Sequence, residues 1–100
     1  MMAQISSSPD ETALEKTVRI RNQRGLHARA AAKFVKIVEN NKAEVTVSKD
    51  GMTVCGASIM GLLMLSGSID TQISIVVKGH NAPAVLEELA GLVERRFDEE

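Results

Sequence analysis

The chain has 100 residues, 44% apolar and 25% charged, with a formal net charge of −1, which makes one domain large enough to bury a core. Phe34 and Phe97 are its only aromatic residues, so the core must be aliphatic, and there is little ring surface or charge excess for binding nucleic acid. The single cysteine, Cys55, cannot close an internal disulfide, and no early apolar run resembles a signal peptide or a membrane span, so a reducing cytoplasm is the expected compartment.

Residues 1–15 contain Ser6-Ser7-Ser8-Pro9 and the acids Asp10, Glu11 and Glu15, without a sustained apolar period. They read as a flexible N-terminal tail ahead of a domain spanning 16–100. Lys16 to Gln23 alternates, with Val18 and Ile20 on one side and Thr17, Arg19 and Arg21 on the other, which predicts a half-buried strand. Arg24 and Gly25 break it. The next segment places Ala31, Phe34, Val35 and Val38 on one helical stripe and Arg29, Lys33 and Lys36 on the opposite face, and Asn40-Asn41 end it.

Ala43, Val45 and Val47 alternate with Glu44, Thr46 and Ser48; Lys49-Asp50-Gly51 supplies a hairpin turn, and Met52 to Ala57 forms the return strand. Ser58 can cap a short helix over Ile59 to Leu65, stopped by Ser66-Gly67-Ser68. Thr71 to Lys78 is another strand, with Ile73, Ile75 and Val77 facing in and Gln72, Ser74 and Lys78 facing out. After Gly79, Asn81 or a neighbour caps a last helix with Pro83 in its first turn, turning Leu86, Leu89, Val93 and Phe97 inward, with Glu87 and Glu88 early and Arg95 and Arg96 late. The order β-α-β-β-α-β-α is of the α+β class. It predicts an open-faced β-sandwich, one four-stranded antiparallel sheet with the helices on a single face.

Charge is unevenly spread. Between Lys16 and Val38 lie seven basic residues (Lys16, Arg19, Arg21, Arg24, Arg29, Lys33, Lys36) and no acidic one, whereas Asp98, Glu99 and Glu100 close the chain. Such a run is either a solvated face or a docking surface for an acidic or phosphorylated partner. His27 lies inside it and favours the second reading. A lone histidine is commonly a surface or capping residue without a role; here Gly25 precedes it, Arg29 follows, and a helix begins at the same place. A neutral imidazole there can attack a phosphoryl group and hold it as a phosphoramidate, with helix N–H groups and the Arg29 guanidinium stabilising the added oxygens. No Gly-rich lysine loop for a nucleotide is present, and two histidines and one cysteine at these spacings make no metal set. A protein with no nucleotide site of its own must receive phosphate from another protein.

Gly25-Leu26-His27-Ala28-Arg29-Ala30-Ala31, followed by Ser58-Ile59-Met60-Gly61-Leu62-Leu63-Met64-Leu65, resembles the histidine-containing phosphocarrier (HPr) family of the bacterial phosphoenolpyruvate-dependent phosphotransferase system. The resemblance runs from about Lys16 to Phe97. It implies a sheet topped by three helices, and a phosphoryl group received by His27 on its δ nitrogen from phosphorylated enzyme I and passed to enzyme IIA proteins. No cofactor is implied, and the carrier is expected to be a monomer. The family spans carriers for sugar uptake and for nitrogen- or potassium-related regulation. Where the family usually has a proline after the arginine, this chain has Ala30, a good helix former.

Ser58 is a helix cap by its position, and by resemblance it matches the serine that a dedicated HPr kinase/phosphorylase modifies in many members. In the segment after it, Leu62 and Leu65 are expected in the core. Ile59, Met60, Leu63 and Met64 are expected in an exposed patch that, with Arg24, meets partner proteins. His80 in Gly79-His80-Asn81 reads as a loop residue and Cys55 as a half-buried packing residue. The rival reading is a noncatalytic α+β regulatory module that binds an acidic partner through the basic run.

Overall fold

The period of two in the sequence becomes a sheet in the computed structural model, which describes residues 13–99. Strands β1 (Ala13–Arg19), β2 (Glu44–Lys49), β3 (Met52–Cys55) and β4 (Gln72–Lys78) form one four-stranded antiparallel sheet in the order β1-β4-β2-β3. Val18 stands opposite Ile73 and Val47 opposite Ile75. These residues, with Val45 and Val77, point to one face and are buried. Asp50 and Gly51, with φ of 51° and 86°, make the two-residue turn between β2 and β3, where both central residues must be left-handed.

Three helices, α1 (Ala28–Asn40), α2 (Ile59–Met64) and α3 (Ala82–Glu94), close the core on that face. α1 contributes Ala30, Ala31, Phe34, Val35 and Val38; α2 contributes Leu62; α3 contributes Val85, Leu86, Leu89, Leu92 and Val93 among others. Among the described residues nothing covers the opposite face of the sheet. There Thr17, Ser74, Ser48 and Thr53 align across all four strands as a hydroxyl row, with 3.0 Å between the Thr17 and Ser74 oxygens and 2.8 Å between those of Ser48 and Thr53. The open-faced β-α-β-β-α-β-α sandwich is the one the sequence predicts.

Several boundaries differ. β1 begins at Ala13, because Ala13, Leu14 and Glu15 pair with Lys78, Val77 and Val76, so residues 13–15 belong to the sheet and not to the predicted tail. Residues 1–12 of that tail, and Glu100, lie outside the described residues. β1 also ends at Arg19, short of Gln23, although Ile20 remains buried and exchanges backbone hydrogen bonds with residues 70 and 71. β3 stops at Cys55, whose side chain is exposed and not half-buried, since it pairs with Thr46 on an edge strand whose inward residue is Val54. Leu65 is buried beyond the end of α2.

The largest departure is at the C-terminus, where α3 does not run on to Phe97. Arg96, Phe97 and Asp98 take φ of 63°, 54° and 61°, three successive non-glycine residues in a left-handed turn, each costing roughly 1–2 kcal/mol. Full burial of the Phe97 ring returns about 1.5–3 kcal/mol. Two further bonds hold the turn: Lys33 Nζ donates to the Phe97 carbonyl (2.7 Å) and Arg95 Nε to Asp98 Oδ1 (3.0 Å). Lys33 is therefore half-buried, not free on the outer face of α1. The turn brings Glu99 back over the start of α1.

Candidate functional site

The corner that holds His27 is built by close backbone contacts. After Ile20 the chain folds back, with the Gly25 N–H donating to the Asn22 carbonyl (3.1 Å) and the Leu26 N–H to the Gly67 carbonyl (2.8 Å). Gly25 has φ of 64°, and a Cβ there would lie 2.2 Å from the Gly67 oxygen, so the bend admits only glycine. Leu26 is buried as a plug, and His27 emerges in extended conformation (φ −82°, ψ 177°) as the residue that caps α1. Its carbonyl accepts from the Ala31 N–H (2.9 Å), but its side chain makes no capping bond. The N–H groups of Ala28, Arg29 and Ala30 thus have no carbonyl partner within the helix and can serve an anion.

The imidazole is directed instead toward the C-terminal turn. Its Nε2 bonds Glu99 Oε2, a residue 72 positions away, and the two side chains are 15% and 17% exposed. Glu99 Oε1 accepts from Asn22 Nδ2 (3.0 Å), which also donates to the Gly25 carbonyl (2.8 Å). Facing two acceptors, the Asn22 amide must present its nitrogen, and facing a carboxylate, His27 Nε2 must carry the proton. Nδ1 is left as the ring nitrogen with a lone pair to give. Burial pushes the Glu99 carboxyl up, but hydrogen bonds from His27 and Asn22, with the electrostatic pull of the His27 ring and the Arg24 guanidinium, outweigh it and leave it below its ordinary value.

Arg29, on the first turn of α1, lines with Gln23, Arg24, Lys33, Asp98 and Glu99 a cleft of about 280 Å³. Arg24 and Arg29 are exposed and form no ion pair with a described residue. The cleft therefore offers two free guanidiniums beside the carboxylate that holds His27, which suits a group carrying several anionic oxygens. A larger open concavity of about 750 Å³ lies on the exposed sheet face, among Arg19, Lys49, Asp50 and Gln72, and shares no residue with this corner.

Ser58 starts α2, its Oγ accepting from the Gly61 N–H (2.9 Å). Beyond it Ile59, Met60 and Met64 are 39%, 70% and 63% exposed, an apolar patch with nothing described upon it. Leu63, expected in that patch, packs in part against the core and offers only an edge. α2 packs beside α1, and the bond from Leu26 to Gly67 ties the loop after α2 to the loop before His27. His80 is exposed in the turn before α3. Among the described residues no group of three or more histidines, cysteines or carboxylates could hold a metal ion, and no helix is long and apolar enough to cross a membrane.

The comparisons with known proteins point to one family. Its description, PTS HPr component phosphorylation site, matches residues 14–95. The chain belongs to the HPr family of phosphotransferase-system phosphocarriers. It is 40% identical over 88 residues to the phosphocarrier protein NPr of Shewanella violacea, covering 88% of this chain and 97% of that one. It is 36% identical over 87 residues to the phosphocarrier protein HPr of Xylella fastidiosa, covering 87% and 98%. A solved structure of HPr from Thermoanaerobacter tengcongensis superposes with a TM-score of 0.82 at 34% identity, over 87% of this chain and 98% of that one. The HPr family match ends at residue 95, before the turn that carries Glu99.

Asn22, Glu99 and the clamp from Lys33 were not singled out by sequence reasoning. Asn22 lies within the strand predicted over 16–23, and Glu99 lies in the acidic run that closes the chain, to which the sequence assigns no role. The one available signal was Phe97, a large apolar residue among charges at a chain end. Ala30 is fully buried, and α1 starts at Ala28 without the family's usual proline.

Proposed function

We propose that His27 is the phosphoryl acceptor and donor of this carrier, taking the group on Nδ1 from phosphorylated enzyme I and passing it to enzyme IIA proteins in the cytoplasm. The observation that carries this reading is the geometry of the α1 start: an imidazole in the capping position that leaves its own helix uncapped, with Nε2 occupied and Nδ1 free. In the forward step the Nδ1 lone pair forms the bond to phosphorus while the bond to the donor atom breaks, its electron pair leaving with the donor. The same exchange in reverse order delivers the group to the acceptor. The Arg29 guanidinium and the first N–H groups of α1 stabilise the oxygens. Arg24, Ile59, Met60 and Met64, with the edge of Leu63, form the docking face, and all come from one chain, so a monomer suffices.

Ser58 is the regulatory site in this reading, modified by an HPr kinase/phosphorylase. Its hydroxyl already serves the N-terminus of α2, where a phosphate is tolerated, so the fold persists while the docking face gains about two negative charges. Incubation with phosphoenolpyruvate and enzyme I should give acid-labile, base-stable phosphate on the parent and none on His27→Ala. Equal labelling of the two proteins would refute the assignment. Phosphate on Ser58 should slow labelling of His27; unchanged rates with both Ser58→Asp and authentic phosphoserine would remove the regulatory role.

A further inference from the structure

Outside the residues already assigned, one arrangement joins the site to a distant part of the chain: Asn22, Glu99 and His27 in a hydrogen-bonded row. We propose that Glu99 is a positioning residue, anchored by Asn22, that holds the Nε2 proton of His27 and so directs phosphoryl exchange to Nδ1. The proposal rests on the carrier reading and names what orients its nucleophile.

Three features support it. The turn that delivers Glu99 is strained at three residues in succession and is held by the buried Phe97, by Lys33 on its carbonyl and by the Arg95–Asp98 pair. Strain of that kind persists where the surroundings fix it, and it gathers at functional sites. Asn22 is the only buried polar or charged residue among the described ones, at 2% exposure, and its Nδ2 serves both the Gly25 bend and Glu99. One side chain thus sets the backbone before His27 and the carboxylate that receives its proton. Finally, the carboxylate engages the nitrogen that is not needed for attack, as in other sites where a carboxylate fixes the tautomer of a working histidine.

The chemistry follows from where the proton stays. When Nδ1 attacks phosphorus and the donor bond breaks, the ring becomes a phosphoimidazolium whose positive charge lies beside Glu99. The Nε2 proton remains on the ring throughout, hydrogen-bonded to Oε2. A protonated ring is the better leaving group when the Nδ1–phosphorus bond breaks in the next transfer, so Glu99 keeps the phosphorylated carrier labile toward its acceptor. The other charges around the pair are Arg21 and Arg24 from the preceding loop, Arg29 and Lys33 from α1, and Arg96 and Asp98 from the C-terminal turn. The cations favour the added phosphate oxygens but oppose the ring charge, and of the carboxylates near the pair Glu99 is the one bonded to the ring.

The test uses the full chain labelled with 15N-histidine, with the His27 signals assigned by their loss in His27→Asn. In the parent, the neutral ring should be the Nε2–H tautomer. Glu99→Ala should mix the tautomers, whereas Glu99→Gln, which retains an acceptor oxygen, should keep the tautomer and lose only the charge. Phosphohistidine hydrolysis should then slow at lower pH in both variants than in the parent, being about tenfold slower in Glu99→Ala at pH 8. Asn22→Ala should shift the profile the same way by a smaller factor. If the parent takes phosphate and Glu99→Ala keeps both the parent tautomer and the parent pH profile, the positioning role is wrong while the carrier reading stands. If the parent takes no phosphate from any phosphotransferase donor, the carrier reading fails and this role with it.

Discussion

Two helices of this protein begin on a polar residue in extended conformation, and the two beginnings are completed in opposite ways. Ser58 caps α2 with its own side chain, bonding an N–H three residues on. His27 occupies the same position on α1 but gives its helix no side-chain bond; its ring is secured by Glu99, 72 residues away. Neither helix has an acidic residue in its first turn. A local cap leaves the α2 start nearly self-sufficient. The α1 start keeps unpaired N–H groups and a free nucleophilic nitrogen only because distant residues hold the imidazole aside. In the function proposed above, the first start belongs to the regulatory site and the second to the site that exchanges phosphate.

The difference between the two helix starts rests most heavily on Phe97. Phe97→Ala removes the burial that sustains the left-handed turn and should cost about 3–5 kcal/mol in denaturant unfolding. It should release Glu99 from His27, while the Ser58–Gly61 bond, built from neighbours in sequence, survives in any remaining native state. Gly25→Ala comes next: its Cβ would meet the Gly67 carbonyl in a left-handed conformation, a strain of about 1–3 kcal/mol. Slower labelling of His27 should accompany the lowered Tm, because the bend sets the ring's approach. Ser58→Ala should cost only about 1 kcal/mol, the worth of a cap, measured by thermal unfolding.

The smallest effect sharpens the contrast through pH. The Glu99 carboxyl titrates below its ordinary 4.5 in the folded protein. Its stabilising contribution is therefore complete above the unfolded value of about 4.5 and is lost as pH falls through the lower folded value. Stability measured across that acid range should fall more steeply in the parent than in Glu99→Gln. Ser58, which has no charge to lose, gives the α2 start no such dependence.

The same contrast explains what could be read from the sequence. Alternation placed Val18, Val45, Val47, Ile73, Ile75 and Val77 correctly because each side chain's face follows from its neighbours alone. The Ser58 cap and the Asp50-Gly51 turn are equally local. Glu99 was hidden because nothing nearby marks Arg96-Phe97-Asp98 as left-handed; the burial of Phe97 and the clamp from Lys33 impose that turn from elsewhere in the fold. Asn22 was hidden because an interrupted strand and a continuing one have the same pattern until Ile20 bonds residues 70 and 71. Ile59, Met60 and Met64 were legible as exposed since a helix of one and a half turns has few inward positions, whereas the partial burial of Leu63 depended on where α2 settles against the core.

We propose that His27 exchanges phosphate through Nδ1 while Glu99 holds Nε2. Phosphorylation of 15N-histidine-labelled protein by phosphoenolpyruvate and enzyme I, followed by 31P–15N correlation, tests it directly. One phosphoryl group should be bonded to Nδ1 of His27, with the Nε2 proton retained and no signal in His27→Ala. A phosphoryl group on Nε2, on His80, or persisting in His27→Ala would contradict it.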